Sequence, residues 1–518
     1  MRPLALSLCT VLLAGTASAQ SGLDDHFMDY TVVQLDLPAE AGQAFPVQLA
    51  IDGFPVNAFL YPFSQRSENF QVLVPRDGEL VPVEVDGPKT YRGEFAELPG
   101  SLIAVSLIDG QLEGSIWLGQ DSPLYGIMPA DEYDASFGPK AHVVYRAKDA
   151  IQPQITQCPD PIVPPTHWKY QNGNGQSQQG GGQGGQVHDH DDDAGQAGAG
   201  SRTQFAGQNL ETCEIAFDTD YEYFQDNGSN VQATIDDIEA LTNTVHGYYE
   251  RDVEICYQIT TIIVRDNPND PYSSNTYDGV LNEFVNEWRS NQTGVQRDIA
   301  HMLSGKNVGG VIGVAYLGVI CDMTWGYGVT WNYTNDHTSV AGVMAHELGH
   351  NWDADHCNGG SCNNNCNDCR IMCACVWSCC GDMTQFGQTS INSITNFKNS
   401  RNCLDAGCNT GGGGGTFTLQ NPVPGLAGQV NSFTATNATP GGQVTYAWSL
   451  SQGSSATGCG ANWGLANARI GGTAIADGSG NATLSANVPA NASGRIIQLQ
   501  ALDDTTCTVS NVISWFFF

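Results

Sequence analysis

The sequence predicts a multidomain protein: a β-rich N-terminal segment, a central α/β domain on a mixed, mainly parallel sheet, and a C-terminal β-sandwich. Three observations predict it. Short apolar alternations dominate residues 20–150 and 416–518. Strand and helix periodicities alternate through residues 203–408, as in sheets covered by helices. Two Gly-rich stretches, 151–202 and 409–415, separate these parts. A length of 518 residues fits about three domains of ordinary size.

The chain carries 54 Asp+Glu against 20 Lys+Arg, a formal charge of −34. That surplus repels phosphate backbones and argues against nucleic acid as a partner. A 41% hydrophobic fraction supports real cores and is too low for a polytopic membrane protein.

Residues 1–19 read as a secretory signal. Arg2 supplies a positive start, residues 4–13 an apolar run, and Ala17-Ser18-Ala19 a small-residue cleavage site before Gln20. The run is shorter than the ~18 residues a span needs, and no later segment reaches that length. The expectation is an exported, extracellular protein without a membrane span. The Gly- and Asn-rich composition favours bacterial export. Export decides how 17 cysteines are read, of which Cys9 leaves with the signal. Eight lie between Cys357 and Cys380, a density that means disulfides in an oxidising compartment. Eight cysteines allow 105 pairings, so none is assigned there.

Within 20–150, residues 30–37 and 70–74 alternate as strands. Residues 101–108 and 111–118 flank Asp109-Gly110, a strong hairpin signal. Residues 172–202 cannot bury enough apolar surface to fold, and Arg202 there is a candidate processing site. The central domain reads as strands at 214–217 and 257–264, helices at 235–249 and 281–288, and an apolar strand at 310–320. The last segment shows strands at 433–436, 444–448 and 496–499. Cys459 and Cys507 are its only cysteines and are expected to pair.

The chemistry concentrates in His346-Glu347-Leu348-Gly349-His350, with His356 six residues further on. Helical spacing puts His346 and His350 on one face, a turn apart, so both imidazoles reach one zinc ion. Glu347 stands beside them as the general base toward a zinc-bound water that attacks a peptide carbonyl. His356 returns as third ligand once the helix turns away, with Asp353 or Asp355 as rivals.

The stretch 346–356 resembles the extended zinc motif of the metzincins. Residues 203–408 more narrowly resemble the reprolysin (adamalysin, or ADAM-type) catalytic domain, through residues 298–305, 312–321, the zinc helix and 402–404. The resemblance implies a zinc metalloendopeptidase acting on proteins or peptides. It implies that Ile371-Met372 is the Met-turn, with Met372 beneath the zinc. It implies a disulfide between Cys321 and Cys403, and a calcium ion near Glu214 and Asp298. Residues 20–150, with Tyr91-Arg-Gly93, resemble the family's propeptide, and the chain is then a latent precursor. Cys158 is open to two readings: the thiolate that holds zinc closed in the precursor, or a structural disulfide. One departure is Asp353 where the family's motif has Gly. Asp tolerates the left-handed turn that this position needs, at about 1 kcal/mol. The rival reading of the whole is a secreted adhesion or surface-binding protein with an inactive peptidase-like domain. Intact His346, Glu347, His350 and His356 argue against it. The C-terminal segment is expected to bind cell surface or matrix.

Overall fold

A computed structural model describes residues 22–119, 122–152, 158–165, 210–356, 370–374, 383–407, 417–436, 438, 442–459, 461–476, 481–504 and 507–518. The expected signal, Arg202, the 409–415 linker and most of the 357–380 cysteines lie outside these residues.

Ten strands form the N-terminal part: β1 (Tyr30–Gln34), β2 (Phe45–Ile51), β3 (Phe54–Pro62), β4 (Arg66–Arg76), β5 (Glu79–Val83), β6 (Thr90–Phe95), β7 (Leu98–Ile108), β8 (Gln111–Trp117), β9 (Leu124–Pro129) and β10 (Ala141–Arg146). Eight of them make one sheet in the order β1-β10-β9-β8-β7-β6-β3-β2. The expected hairpin is β7–β8, closing on the pair Ile108↔Gln111. Asp109 and Gly110 take φ +50° and +77°, the two left-handed positions that a tight hairpin turn demands.

The central part contains β11 (Glu211–Thr219), α1 (Tyr221–Asp226), α2 (Val231–Val253), β12 (Ile255–Ile263), α3 (Tyr277–Asn291), β13 (Ile299–Ser304), β14 (Gly313–Ala315), β15 (Tyr327–Trp331), α4 (His337–Asn351), α5 (Gln388–Lys398) and β16 (Asp405–Ala406). Its sheet runs β14-β15-β13-β11-β12-β4-β5, with β16 beside β11. The pairs β11–β12, β11–β13, β13–β15 and β12–β4 are parallel, whereas β14–β15 and β4–β5 are antiparallel. The sheet is therefore mixed and mainly parallel. Its inner strands β12, β13 and β15 are buried at every position. The β4–β5 hairpin comes from the N-terminal part, so the two parts share a sheet.

The apolar run at 310–320 forms a ladder only over β14. Beyond it the chain turns away, and the backbone N–H groups of Gly318 and Val319 donate to the carbonyls of His350 and Asn351. Those donors satisfy the end of α4 and are lost to the sheet.

The C-terminal part comprises β17 (Thr418–Leu419), β18 (Val430–Thr436), β19 (Gln443–Ser449), β20 (Gln452–Ala456), β21 (Asn462–Leu465), β22 (Arg469–Ile475), β23 (Ala482–Asn487), β24 (Arg495–Asp503), β25 (Thr508–Val509) and β26 (Ile513–Phe517). Two sheets, β17-β18-β23 and β22-β19-β24 with β25 and β26 on β24, enclose a core that includes Phe433, Tyr446 and Leu499. Disulfides join Cys459 to Cys507 and Cys321 to Cys403, both as expected. Among the described residues no helix is long and apolar enough to cross a membrane.

Candidate metal centre

Helix α4 is buried at every residue and carries His346, Glu347 and His350. Asp336 caps its start, accepting from the Ser339 backbone N–H at 3.1 Å. At its end Asp353 adopts φ +70°, the left-handed turn expected there. The chain then reverses, and His356 comes back over the helix.

The three imidazoles converge. His346 Nε2 lies 3.0 Å from His356 Nε2 and 3.0 Å from His350 Nε2, and His350 Nε2 lies 3.2 Å from His356 Nε2. Each Nδ1 is engaged elsewhere. His346 Nδ1 donates to the Ile371 carbonyl at 2.6 Å, and His350 Nδ1 donates to the Ala354 carbonyl at 2.7 Å. His356 Nδ1 faces Asp160 Oδ1 at 3.2 Å. A carbonyl only accepts, so His346 and His350 hold their proton on Nδ1 and turn the Nε2 lone pair inward. Burial, then the nearby His356, brings His346 down to about 3, and burial also lowers His356. Neutral imidazoles with converging lone pairs repel one another unless a cation lies among them. Three converging nitrogen donors suit Zn²⁺.

Glu347 is almost wholly buried. Among the described residues its Oε1 has no hydrogen-bond partner. Burial pushes its carboxyl well above the usual range, against the bond from Cys158 that lowers it. Gly313, on the edge strand, faces this carboxylate, and any side chain there would collide with it. The Met372 sulfur packs against Gly349 of α4. Asn351 Nδ2 donates to the Tyr316 carbonyl at 2.9 Å and the Tyr327 carbonyl at 3.1 Å, tying helix to sheet edge.

Among the described residues Cys158 is a buried free cysteine. Its Sγ and the ligand atoms of His346 and Glu347 all lie within 4.8 Å of one another. Burial, and then the Glu347 charge, holds its thiol well above the ordinary range. The residues after it run along the cleft. Ile162 N–H donates to the Ala315 carbonyl and Leu317 N–H to the Ile162 carbonyl, both at 2.9 Å.

Glu214 and Asp298 adjoin on β11 and at the start of β13. Asp298 Oδ2 accepts from the Glu214 backbone N–H at 2.8 Å, and the Cys321–Cys403 disulfide lies beside Asp298. Burial, followed by the charges of Glu214 and Asp405, raises Asp298 to about 7. His246, His301 and His337 are buried and bond Glu250, Thr330 and Thr244, away from the triad.

Sequence reasoning missed Asp160, Gly313 and Asn351. Asp160 follows Cys158 by two residues, and that spacing was its only available signal.

Two buried imidazoles and a carboxylate on an HExxH helix, with His356 returning beside them, form a group that could hold a metal ion. Residues 209–405 match the reprolysin model (Reprolysin_5) described as metallo-peptidase family M12. The likeness to this metallopeptidase family covers the central domain, residues 209–405. Among solved structures, metalloproteinase-II from Bacteroides fragilis is similar at 13% identity and a TM-score of 0.38, over 69% of this chain and 92% of its own. A chaperone–substrate complex matches at 13% identity and a TM-score of 0.27, over 36% of this chain and 34% of its own.

Proposed function

We propose that the chain is an exported zinc metalloendopeptidase made as a latent precursor. The observation that carries this reading is the convergence of three buried Nε2 atoms beside a carboxylate oxygen with no partner. His346, His350 and His356 would hold zinc through Nε2. Zinc, when bound, supplies the Lewis acidity that activates water and polarises the scissile carbonyl. Glu347 takes the proton from the attacking water at Oε1. The water oxygen bonds to the carbonyl carbon, the C–N bond breaks, and Glu347 returns the proton to the leaving amine. The edge strand β14 offers backbone groups on which an extended peptide would lie as another strand.

Latency would come from residues 158–165. Ile162 pairs with Tyr316 beside that edge, Cys158 reaches His346 and Glu347, and Asp160 faces His356. Cys158 would then close the zinc site until the segment leaves. Glu214, Asp298 and Asp405 would hold a calcium ion. The C-terminal part would attach the enzyme to a cell surface or matrix.

The test compares full-length parent, Cys158→Ser and Cys158→Ser with Glu347→Gln for zinc content and peptide hydrolysis. All three should bind about one zinc per chain. Cys158→Ser should cleave peptide without prior processing, whereas the parent should not. Adding Glu347→Gln to Cys158→Ser should lower kcat roughly 10²–10⁴-fold. Equal turnover by Cys158→Ser with and without Glu347→Gln would favour the adhesion-protein reading instead.

A further inference from the structure

The N-terminal part meets the central domain in two places of very different strength. One is the strap 158–165, held at the cleft by few hydrogen bonds, with the Asp160 side chain 79% exposed. The other is the seam along β12 and α2.

At that seam β4 lies parallel to β12, pairing Thr261↔Gln71, Ile262↔Val72 and Ile263↔Leu73. Backbone bonds bracket it: Ile259 N–H to the Gln65 carbonyl at 2.6 Å and Val264 N–H to the Leu73 carbonyl at 2.9 Å. Next to it, α2 is buried nearly all round, including the polar residues Asp236, Glu239, Thr242 and Asn243. N-terminal residues answer them in turn. Lys89 pairs with Asp236 at 2.7 Å, and Arg66 with Glu239 at 2.5 Å. Gln65 donates to the Thr242 carbonyl at 2.9 Å, and Arg92 to the Asn243 carbonyl at 2.7 Å. Val72, Val74, Leu102 and Trp117 sit in one continuous core with Ile238, Val245 and Tyr248. The N-terminal part also touches the C-terminal part, where Phe59 of β3 stacks on Phe516 at 5.7 Å.

Separation at this seam would bare β12, buried at every position, as an edge strand and leave two buried carboxylates without their cations. Both are costly: the first by lost apolar burial and an unpaired edge, the second by unpaired buried charge. Among the described residues the strap forms the isolated bridge Ile162↔Tyr316 and no sheet ladder or buried ion pair.

We propose that residues 22–152 stay bound when the chain is cut within 166–209, so that the processed protein is a two-chain particle. The N-terminal part is then a lasting subunit that completes the central sheet, and opening the cleft needs only the strap to withdraw or be trimmed. This claim takes from the proposed function only the place of the cut.

The experiment uses the full chain carrying Glu347→Gln, to exclude self-digestion, with a specific protease site introduced in 166–209. After complete cutting, gel filtration under native conditions is followed by denaturing electrophoresis. Both fragments should elute together at the mass of the intact chain and part only in denaturant. Fragments eluting separately under native conditions would overturn the proposal. Adding Arg66→Glu with Lys89→Glu should convert co-elution after cutting into separation. Unchanged co-elution of that variant would remove the seam as the cause. Should the natural chain never be cut in this stretch, the proposed activation fails, and co-elution after the introduced cut is unaffected.

Discussion

The Tyr145 hydroxyl, on the N-terminal sheet, donates to Asp336, the residue that caps the helix bearing His346 and His350. Both groups are buried, and burial pushes the Asp336 carboxyl up while Ser339, Tyr145 and Thr338 stabilise its charge. The N-terminal part thus braces the helix that presents two of the three imidazoles. Tyr145→Phe removes the donor and leaves Thr338 and Ser339 in place. A net loss of about 1–2 kcal/mol in unfolding free energy is expected, with zinc content unchanged. Chemical denaturation of the two proteins measures it, and equal midpoints would show that the cap does not need Tyr145.

Gly313 gives a prediction that separates base placement from metal binding. It faces Glu347 from the edge strand, so Gly313→Ala must shift the carboxylate or the strand. The three histidines lie on other elements and should keep their zinc. The expected result is a kcat lower by roughly 10–100-fold with zinc content and melting temperature near parental values, since misplacing a reacting group by about 1 Å costs that much. Loss of zinc in this variant would place Gly313 in the ligand framework instead.

The convergence of His346, His350 and His356 was legible because they lie within eleven consecutive residues, the first two a helical turn apart. Asp353 was legible too, since only a left-handed residue lets His356 return, and the chain takes φ +70° there. What holds the imidazoles in orientation was not. Ile371 and Ala354 act through backbone carbonyls, which leave no mark on residue identity. Asp160 acts from a segment almost two hundred residues upstream. Strands β4 and β5 show a similar gap. Alternation at residues 70–74 marks a strand but not its sheet, and the pairing partner is β12, reached only through tertiary packing. The 310–320 run was read as longer than its ladder because apolar content reports burial, whereas the ladder ends where N–H groups are spent on α4.

Asp298 supplies a pH prediction. Its folded value of about 7 lies above the roughly 3.9 of an unfolded aspartate. Between those values the folded chain keeps a proton that the unfolded chain has lost. Stability from this group is therefore fully present below about pH 4, declines as pH rises toward 7, and is gone above that. Other carboxylates titrate as well, so the comparison is between parent and Asp298→Asn, which keeps an acceptor for the Glu214 N–H. The parent-minus-variant difference in melting temperature should fall steadily from pH 4.5 to 7.5. A cation among Glu214, Asp298 and Asp405 would offset the ionised charge, so millimolar calcium at pH 7.5 should raise the parent's melting temperature more than the variant's. Parallel pH curves would show that Asp298 ionises normally. An equal calcium response in both proteins would place calcium somewhere other than these carboxylates.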